Sequence, residues 1–473
     1  MTETRKRIAV IGGGITGLSA AFYLELAARD LGLDLEVSVF EQSTRWGGVI
    51  GTIRRNGFLL ETGPEGWASY KPSPRYILRE LGREEEVIGS RDEYRRTLLL
   101  SGGRLRELPD GMMFLAPIEP LAFWRSAPLS WRGKLRASLE PLIPRSRGDL
   151  SVHRFFARRL GEEFAETLAE PLISGVLGFD YRRLSAPSSL PELYRAEQRA
   201  GSLWRGLRRF AGISRTYSVL HTLRGGMEEL VAAIRSSLQG VRLLAGTPVR
   251  RLRRSGSEWI IGADGEDTAF DLVFLCTSAW AAAEILQELL PEAAGELRRI
   301  PYSPSRLAFL AYRKADFPFG DNLFGFVVSQ QEPVQISACT WASTKFPGRA
   351  PDDVILLRCS LRNLEDPEGL ALDPAVAAHA DLQKILKFQA DPLFTFSWQH
   401  ERALPRLLVG HGRRLERIRA QLRDFPTLEL LGSYVGGVGV PDCVMTARQA
   451  VERWVRTWTG EDWSRVPRRP ASR

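Results

Sequence analysis

Arg7-Ile8-Ala9-Val10-Ile11-Gly12-Gly13-Gly14-Ile15-Thr16-Gly17 is a short run of strand type that breaks into a glycine-rich turn. Residues 18–28 then carry the apolar pattern of a helix, and Gly32 marks its end. Residues 35–40 form a second strand, closed by Glu41 with Gln42 beside it. Strand, glycine turn, helix, strand and acid is the order of a dinucleotide-binding unit. Gly12 permits the tight turn, Gly14 lets backbone approach a pyrophosphate, and Gly17 lets helix and strand pack closely. The helix N-terminus around Gly13, Ile15 and Thr16 offers N–H groups to phosphate. Glu41 stands where an acid accepts from ribose hydroxyls.

Arg45-Trp46-Gly47-Gly48 follows the acid, and Glu61-Thr62-Gly63-Pro64 follows a strand pair joined at Asn56-Gly57. A second glycine pair brings more backbone to the pyrophosphate, and Arg45 offsets its charge. This stretch resembles the amine-oxidase-type flavoproteins, in which an arginine and paired glycines follow the ribose acid. The resemblance implies FAD, with Gly63 and Pro64 also at the cofactor. No cysteine or histidine lies in a motif for covalent attachment, so the FAD is expected to be non-covalent.

The chain has 473 residues, enough for two or three domains, with 44% hydrophobic and 26% charged residues. Its formal net charge of +9 suits an anionic substrate or an acidic membrane surface. Nucleic acid is not an expected partner: there is no recognition helix, zinc knuckle or aromatic-basic repeat, and the bases alternate with acids. Cys276, Cys339, Cys359 and Cys443 are far apart with no C-x-x-C pair, which fits a reduced compartment. Arg5-Lys6-Arg7 leads straight into a strand too short for a signal core, and no apolar window reaches roughly 18 residues. The expectation is a cytoplasmic protein, a monomer or homodimer. Peripheral contact with the inner face of the membrane is an expectation for residues 112–131, where Met112, Met113, Phe114, Leu121, Phe123, Trp124 and Trp131 are flanked by Arg125, Arg132 and Lys134.

Along the chain, Ser73-Pro74 opens a helix that stops at Gly82, and residues 96–108 read as a hairpin. Residues 109–217 hold short proline-punctuated helices, among them a pair broken at Gly161. Nucleotide-domain character returns at residue 218, with strands at 220–223, 241–244, 248–252, 259–261 and 271–276. Alternating strands over 303–360 form an antiparallel sheet, residues 375–387 a helix, and 395–398 a strand whose turn leads back towards the cofactor. The last helix spans 444–458 behind Gly436-Gly437-Val438-Gly439-Val440-Pro441-Asp442. The fold class is α/β: a discontinuous Rossmann-type FAD-binding domain (1–90, 218–300, 395–463), a mostly helical insertion (91–217), an antiparallel-sheet substrate domain (301–394) and a tail from 464.

Separated motifs resemble one branch of these flavoproteins, the oxygen-dependent protoporphyrinogen and coproporphyrinogen oxidases. They are residues 12–21, Glu170-Pro171-Leu172-Ile173-Ser174-Gly175-Val176, the segment Trp398…Ala403-Leu404-Pro405…Gly410-His411, and residues 436–443 ending in Pro-Asp-Cys. The chain departs from the family's pattern at Leu407, where tyrosine is usual, and at Gly178-Phe179-Asp180 in place of Ala-Gly-Asp. The resemblance implies that backbone near Val249 meets the adenine and that Trp398, Val438 and Val440 lie at the flavin.

It also implies the reaction: hydride passes from a bridge carbon of a colourless tetrapyrrole to the flavin, and molecular oxygen is reduced to hydrogen peroxide. No catalytic side chain is expected. No histidine is spaced with another as a metal site, and His411 is read as structural. Substrate carboxylates need cations, for which Arg95 or Arg96 and Lys71 stand as candidates. The 170–176 stretch is expected as a loop beside the substrate, with Leu172 and Val176 against a ring, Gly175 allowing close approach, and Ile336 covering the opposite face. Apolar Leu172, Ile173, Val176 and Leu177 favour protoporphyrinogen IX over the tetra-acid coproporphyrinogen III. Another amine-oxidase-like flavoenzyme and a non-enzymatic flavin or porphyrin binder are the alternative readings.

Overall fold

The computed structural model describes residues 5–94, 96–109, 112–113, 116–117, 119–126, 128–177, 179–207, 218–263, 265–320, 322–362 and 372–465. The strand Lys6–Ile11 lies at the centre of a five-stranded parallel sheet. Its neighbours are Leu35–Glu41 and then Val241–Ala245 on one side, and Leu272–Leu275 and then Leu428–Leu430 on the other. Both faces are covered from Ile8 onward, which is why Ile8–Ile11 are apolar and buried while Lys6 and Arg7 at the strand's start are not. Ile8 and Val10 enter a core with the helices Ile15–Leu31 and Val440–Thr459. Ala9 and Ile11 enter a second core with Trp259, Phe274's neighbour Leu275, and Leu297.

The first helix starts at Ile15, directly on the glycine turn and ahead of the expected Leu18. It ends at Gly32, which takes the left-handed conformation at φ 70°. The last helix begins at Val440 instead of Val444, so Asp442 falls in its first turn.

A second sheet has seven strands, in the order Phe394–Pro405, Tyr302–Arg313, Val354–Leu361, Ile336–Trp341, Gly325–Val328, Thr97–Ser101 and Arg104–Glu107. All its pairings are antiparallel except Gly325–Val328 with Thr97–Ser101. The 97–107 hairpin therefore joins this sheet. Residues 394–405 are one continuous edge strand, not a short strand and a turn. One face of the sheet packs on the helix Pro374–Leu386. On the other face Leu307, Phe309 and Leu356 meet Phe58 and Leu60 of the nucleotide half, while Leu99 and Val327 meet the helical segment. That second face is where the two halves confront each other.

In the helical segment, Val152–Leu160 stops at Gly161 (φ 100°). Glu162–Phe164 then passes through a widened π turn, Ala165–Ala169, into the helix Glu170–Leu177. The 170–176 stretch is thus helical, which corrects the loop expected for it. Pro171 donates no N–H and crowds the preceding turn, and the wider turn before it accommodates the ring. Arg159, fully buried, holds the segment together: its guanidinium pairs with the equally buried Glu197 and lies 3.3 Å from Glu140 Oε1.

Candidate active site

The glycine turn is built by close approach. A Cβ on Gly17 would lie 1.9 Å from the Gly12 carbonyl oxygen, and one on Gly12 (φ 108°) would lie 2.8 Å from that of Cys276. Gly13 leaves room for the Trp46 ring, 2.4 Å from where its Cβ would stand. Glu41 accepts from Gly13 N at 2.7 Å and from Ser43 N at 2.8 Å, so its carboxylate is fixed beside the turn, with Gln42 exposed next to it. Gly14 caps the first helix with no side-chain hydrogen bond, and no acid lies in its first turn, where Ile15 and Thr16 sit. That helix end keeps its positive dipole for an outside anion.

The second glycine pair faces the first. Gly47 N donates to Gly13 O at 2.9 Å. Gly47 and Gly48 have positive φ, and a Cβ on Gly48 would sit 3.4 Å from the Gly14 Cα. Arg45 donates to Ile50 O at 2.6 Å and to Gly48 O, so it clamps the turn by its carbonyls. Gly63 is pressed against Val49 O, 2.1 Å from its would-be Cβ, with Pro64 half-buried behind it.

From the sheet, Arg358 reaches across to Gly63 O at 2.8 Å and Glu61 O at 3.1 Å. The sequence reading missed Arg358, although a lone arginine in the apolar run 354–361 was the available signal. Trp398 is half-buried on the sheet face turned to the nucleotide half, stacked on Phe396 at 6.5 Å. Val249 packs on the second core, as does Val438, and Val440 is buried at the start of the last helix.

The substrate candidates part company. Leu172 packs half-buried on the helical core. Gly175 brings its helix onto the sheet: a Cβ there would lie 3.0 Å from Ser337 O and 3.5 Å from Val327 Cβ. The close approach is helix to sheet, where a ring against the backbone was expected. Val176 continues the helix. Ile336 is fully buried on the opposite face with Leu361, because a bulge between Ile336 and Ala338 reverses the alternation of its strand. It covers no ring there. Lys71 is taken up by Asp442 at 2.8 Å and Glu192 at 3.3 Å. Arg96 is exposed and bonded to Glu107, and Arg95 lies outside the described residues.

Burial dominates the electrostatics. Glu61 is pushed up to about 7, because desolvation outweighs its bonds from Met227 N and Thr52 and the Arg349 guanidinium 3.9 Å away. Burial also raises Glu170 to about 6, and its Oε1 has no hydrogen-bond partner among the described residues. His411 is buried with Nε2 2.7 Å from Tyr434 O, the structural role expected of it. His153, Glu162 and Glu166 place ligand-type atoms within 4.8 Å of one another, but Arg182 already pairs with Glu166.

Comparisons with known proteins agree with this geometry. The family profile described as flavin containing amine oxidoreductase matches residues 15–454. The chain is 30% identical to coproporphyrinogen III oxidase of Bacillus subtilis, over 95% of this chain and 98% of that one. It is also 30% identical to human protoporphyrinogen oxidase, over 94% and 97%. A crystal structure from Exiguobacterium, assigned as a protoporphyrinogen oxidase, superposes with a TM-score of 0.80 at 27% identity, covering 97% of this chain and all of that one. The uncapped helix end, the facing glycine turns and the fixed Glu41 fit a flavin nucleotide, the cofactor this family carries. The fold and the profile together place the chain among the flavin containing amine oxidoreductases.

Proposed function

We propose that this protein is an oxygen-dependent porphyrinogen oxidase that converts protoporphyrinogen IX to protoporphyrin IX, with FAD held non-covalently. One observation carries the reading: proteins named as porphyrinogen oxidases match nearly the whole chain, across both the glycine turns and the helix-on-sheet half, and the human one is named for protoporphyrinogen. The flavin, when bound, accepts hydride from a bridge carbon and passes its electrons to oxygen, giving one hydrogen peroxide per round and three per porphyrin. The chain's own part is positioning. Residues 12–17, Glu41 and the 47–48 turn hold the nucleotide. Arg358 ties the 61–63 loop to the sheet, and the Glu170–Leu177 helix lies over the same sheet face to shield the tetrapyrrole from water. Apolar Leu172, half-buried and outside the fully buried core, favours the substrate with two carboxylates.

A second reading is coproporphyrinogen III oxidation to coproporphyrin III. It is favoured by the Bacillus subtilis relative and by a Propionibacterium freudenreichii relative of the same name at 31% identity. Turnover of both porphyrinogens, followed by porphyrin fluorescence and peroxide release, tests the proposal. A higher kcat/KM for the tetra-acid selects the second reading, and no porphyrin from either removes both. Heat-denatured protein should release intact FAD into the supernatant.

The same proposal includes a peripheral place on the inner face of the cytoplasmic membrane, for a monomer or homodimer. Leu121, Trp131 and Leu142 are 66%, 67% and 75% exposed on adjoining short helices, beside Arg125, Arg132 and Lys134. Apolar side chains rimmed by bases suit an anionic lipid interface. Among the described residues no helix is long and apolar enough to cross a membrane. Phe114, expected in this patch, lies outside the described residues.

A further inference from the structure

Two arginines share one ring. The Arg406 guanidinium carbon lies 4.0 Å from the Phe179 ring centroid, and that of Arg183 lies 5.5 Å from it. Arg406 is half-buried and places one donor, Nε, on Ser303 Oγ at 2.6 Å. Among the described residues, neither arginine is ion-paired with a carboxylate. Arg75, Arg79, Arg83, Arg96 and Arg182 all are. The nearby acids are engaged elsewhere: Asp149 with Ser185 and Gly410 N, and Asp180 with Arg182 N. Burial and the like charge of Arg183 both act against the Arg406 charge, so the site is electrostatically unfinished.

Its position is telling. Arg406 and Phe179 line a cavity of about 30 Å³ with Ser303, Pro405, Leu407 and Val438. That is about the volume one water takes in the liquid, so a small polar head fits and a ring does not. Phe179 comes two residues after the Glu170–Leu177 helix, and Val438 lies in the glycine loop before the last helix. The cavity thus joins the helix proposed to shield the tetrapyrrole to the loop proposed to meet the flavin. Phe179 and Leu407 are also two of the positions where the chain departs from the family's pattern.

We infer that Arg406, stacked on Phe179 and supported by Arg183, seats one carboxylate of the substrate. The inference rests on the proposed tetrapyrrole substrate and names the side chains that receive one of its acids. Ser303 and Phe179 fix the guanidinium plane and leave its terminal N–H groups to bind a carboxylate side-on. Arg183, nearer the surface, adds attraction through charge.

The test uses flavin-loaded protein and two fluorescent probes in the same detergent, protoporphyrin IX and its dimethyl ester. Arg406→Ala should weaken free-acid binding roughly tenfold, the usual scale for one charge-assisted contact, and leave ester binding within about twofold. Flavin content should not change. Arg183→Ala, a surface substitution that keeps the fold, should weaken the free acid by a smaller factor that shrinks with added salt. Equal losses for acid and ester would mean that Arg406 merely props the pocket and would overturn the assignment. So would an unchanged free-acid affinity in both variants, and if Arg406→Ala does not fold, an unchanged affinity in Arg183→Ala alone is enough. Wild-type protein that binds neither probe, while still holding flavin, would instead overturn the tetrapyrrole reading and this seat with it.

Discussion

The Lys71 ammonium stands 2.8 Å from Asp442 Oδ1 and 3.3 Å from Glu192 Oε1. One side chain thereby joins the bend after the strand Trp67–Ala68, the helix Pro191–Ala200 and the first turn of the Val440–Thr459 helix. With 20% of Lys71 and 25% of Asp442 exposed, the pair is too sheltered to count as a solvated surface bridge. Its work is to hold the glycine loop 436–439 in place, since the Asp442 carboxylate lies directly against Gly437 and Gly439.

Lys71→Met should therefore lower stability by about 1–3 kcal/mol, the range for a charged hydrogen bond lost from a sheltered site. It should also speed flavin loss on dilution. The KM for porphyrinogen should change little. A urea midpoint and a flavin dissociation rate check the first two, and a large KM effect with full stability would restore Lys71 as a substrate anchor.

Gly17→Ala places a methyl group 1.9 Å from the Gly12 carbonyl oxygen, and the helix must move off the strand to admit it. The expected cost is at least about 1–3 kcal/mol. The displaced helix end should also lose most of its flavin. The ratio of flavin to protein absorbance after purification reads this directly.

Glu61 gives the protein a pH dependence. Its folded-state value of about 7 is above the ordinary glutamate value of 4.5, so the folded state holds this proton more tightly than the unfolded chain does. The resulting stabilisation is complete below about pH 4.5 and is lost as pH rises through 7. It amounts to on the order of 3 kcal/mol across that window. Glu170, raised to about 6, acts in the same direction. Denaturant midpoints at pH 5 and pH 8 should differ less in Glu61→Gln than in the wild type, and an equal difference would show that Glu61 stays ionised when folded.

Replacing Trp131 and Leu142 together by glutamate should abolish sedimentation with vesicles containing anionic lipid. Flavin content and detergent-phase turnover should be retained, because both residues are more than two-thirds exposed. Wild-type protein that stays in the supernatant at low salt would remove the membrane contact and leave the enzymatic reading standing.

The nucleotide half was legible because its rules are local. A tight turn and an uncapped helix start each depend on residues within a few positions, and Gly12, Gly14 and Gly17 fall where those rules put them. The substrate side depends on partners far along the chain. Lys71 read as a free cation because its acids lie at positions 192 and 442. The side of the sheet that Ile336 faces is set by a bulge that only the paired strand reveals. The loop at 170–176 came from the resemblance, and the helix Glu170–Leu177 was not legible locally because Pro171 and Gly175 disfavour helix unless a π turn and a sheet surface accommodate them, as they do here.

The five-stranded sheet also sets a timetable for synthesis. Its central strand, Lys6–Ile11, is made well before its partners: it borders Leu272–Leu275, beyond which lies Leu428–Leu430, and its core is completed by the helix Val440–Thr459, which packs on Ile15–Leu31. At ordinary elongation rates the apolar side chains of Ile8, Val10 and Leu18 wait on the order of tens of seconds for that cover. The nascent chain must spend that interval with a sticky, unfinished surface, and the glycine turn is fully backed only once Val440–Thr459 has been made.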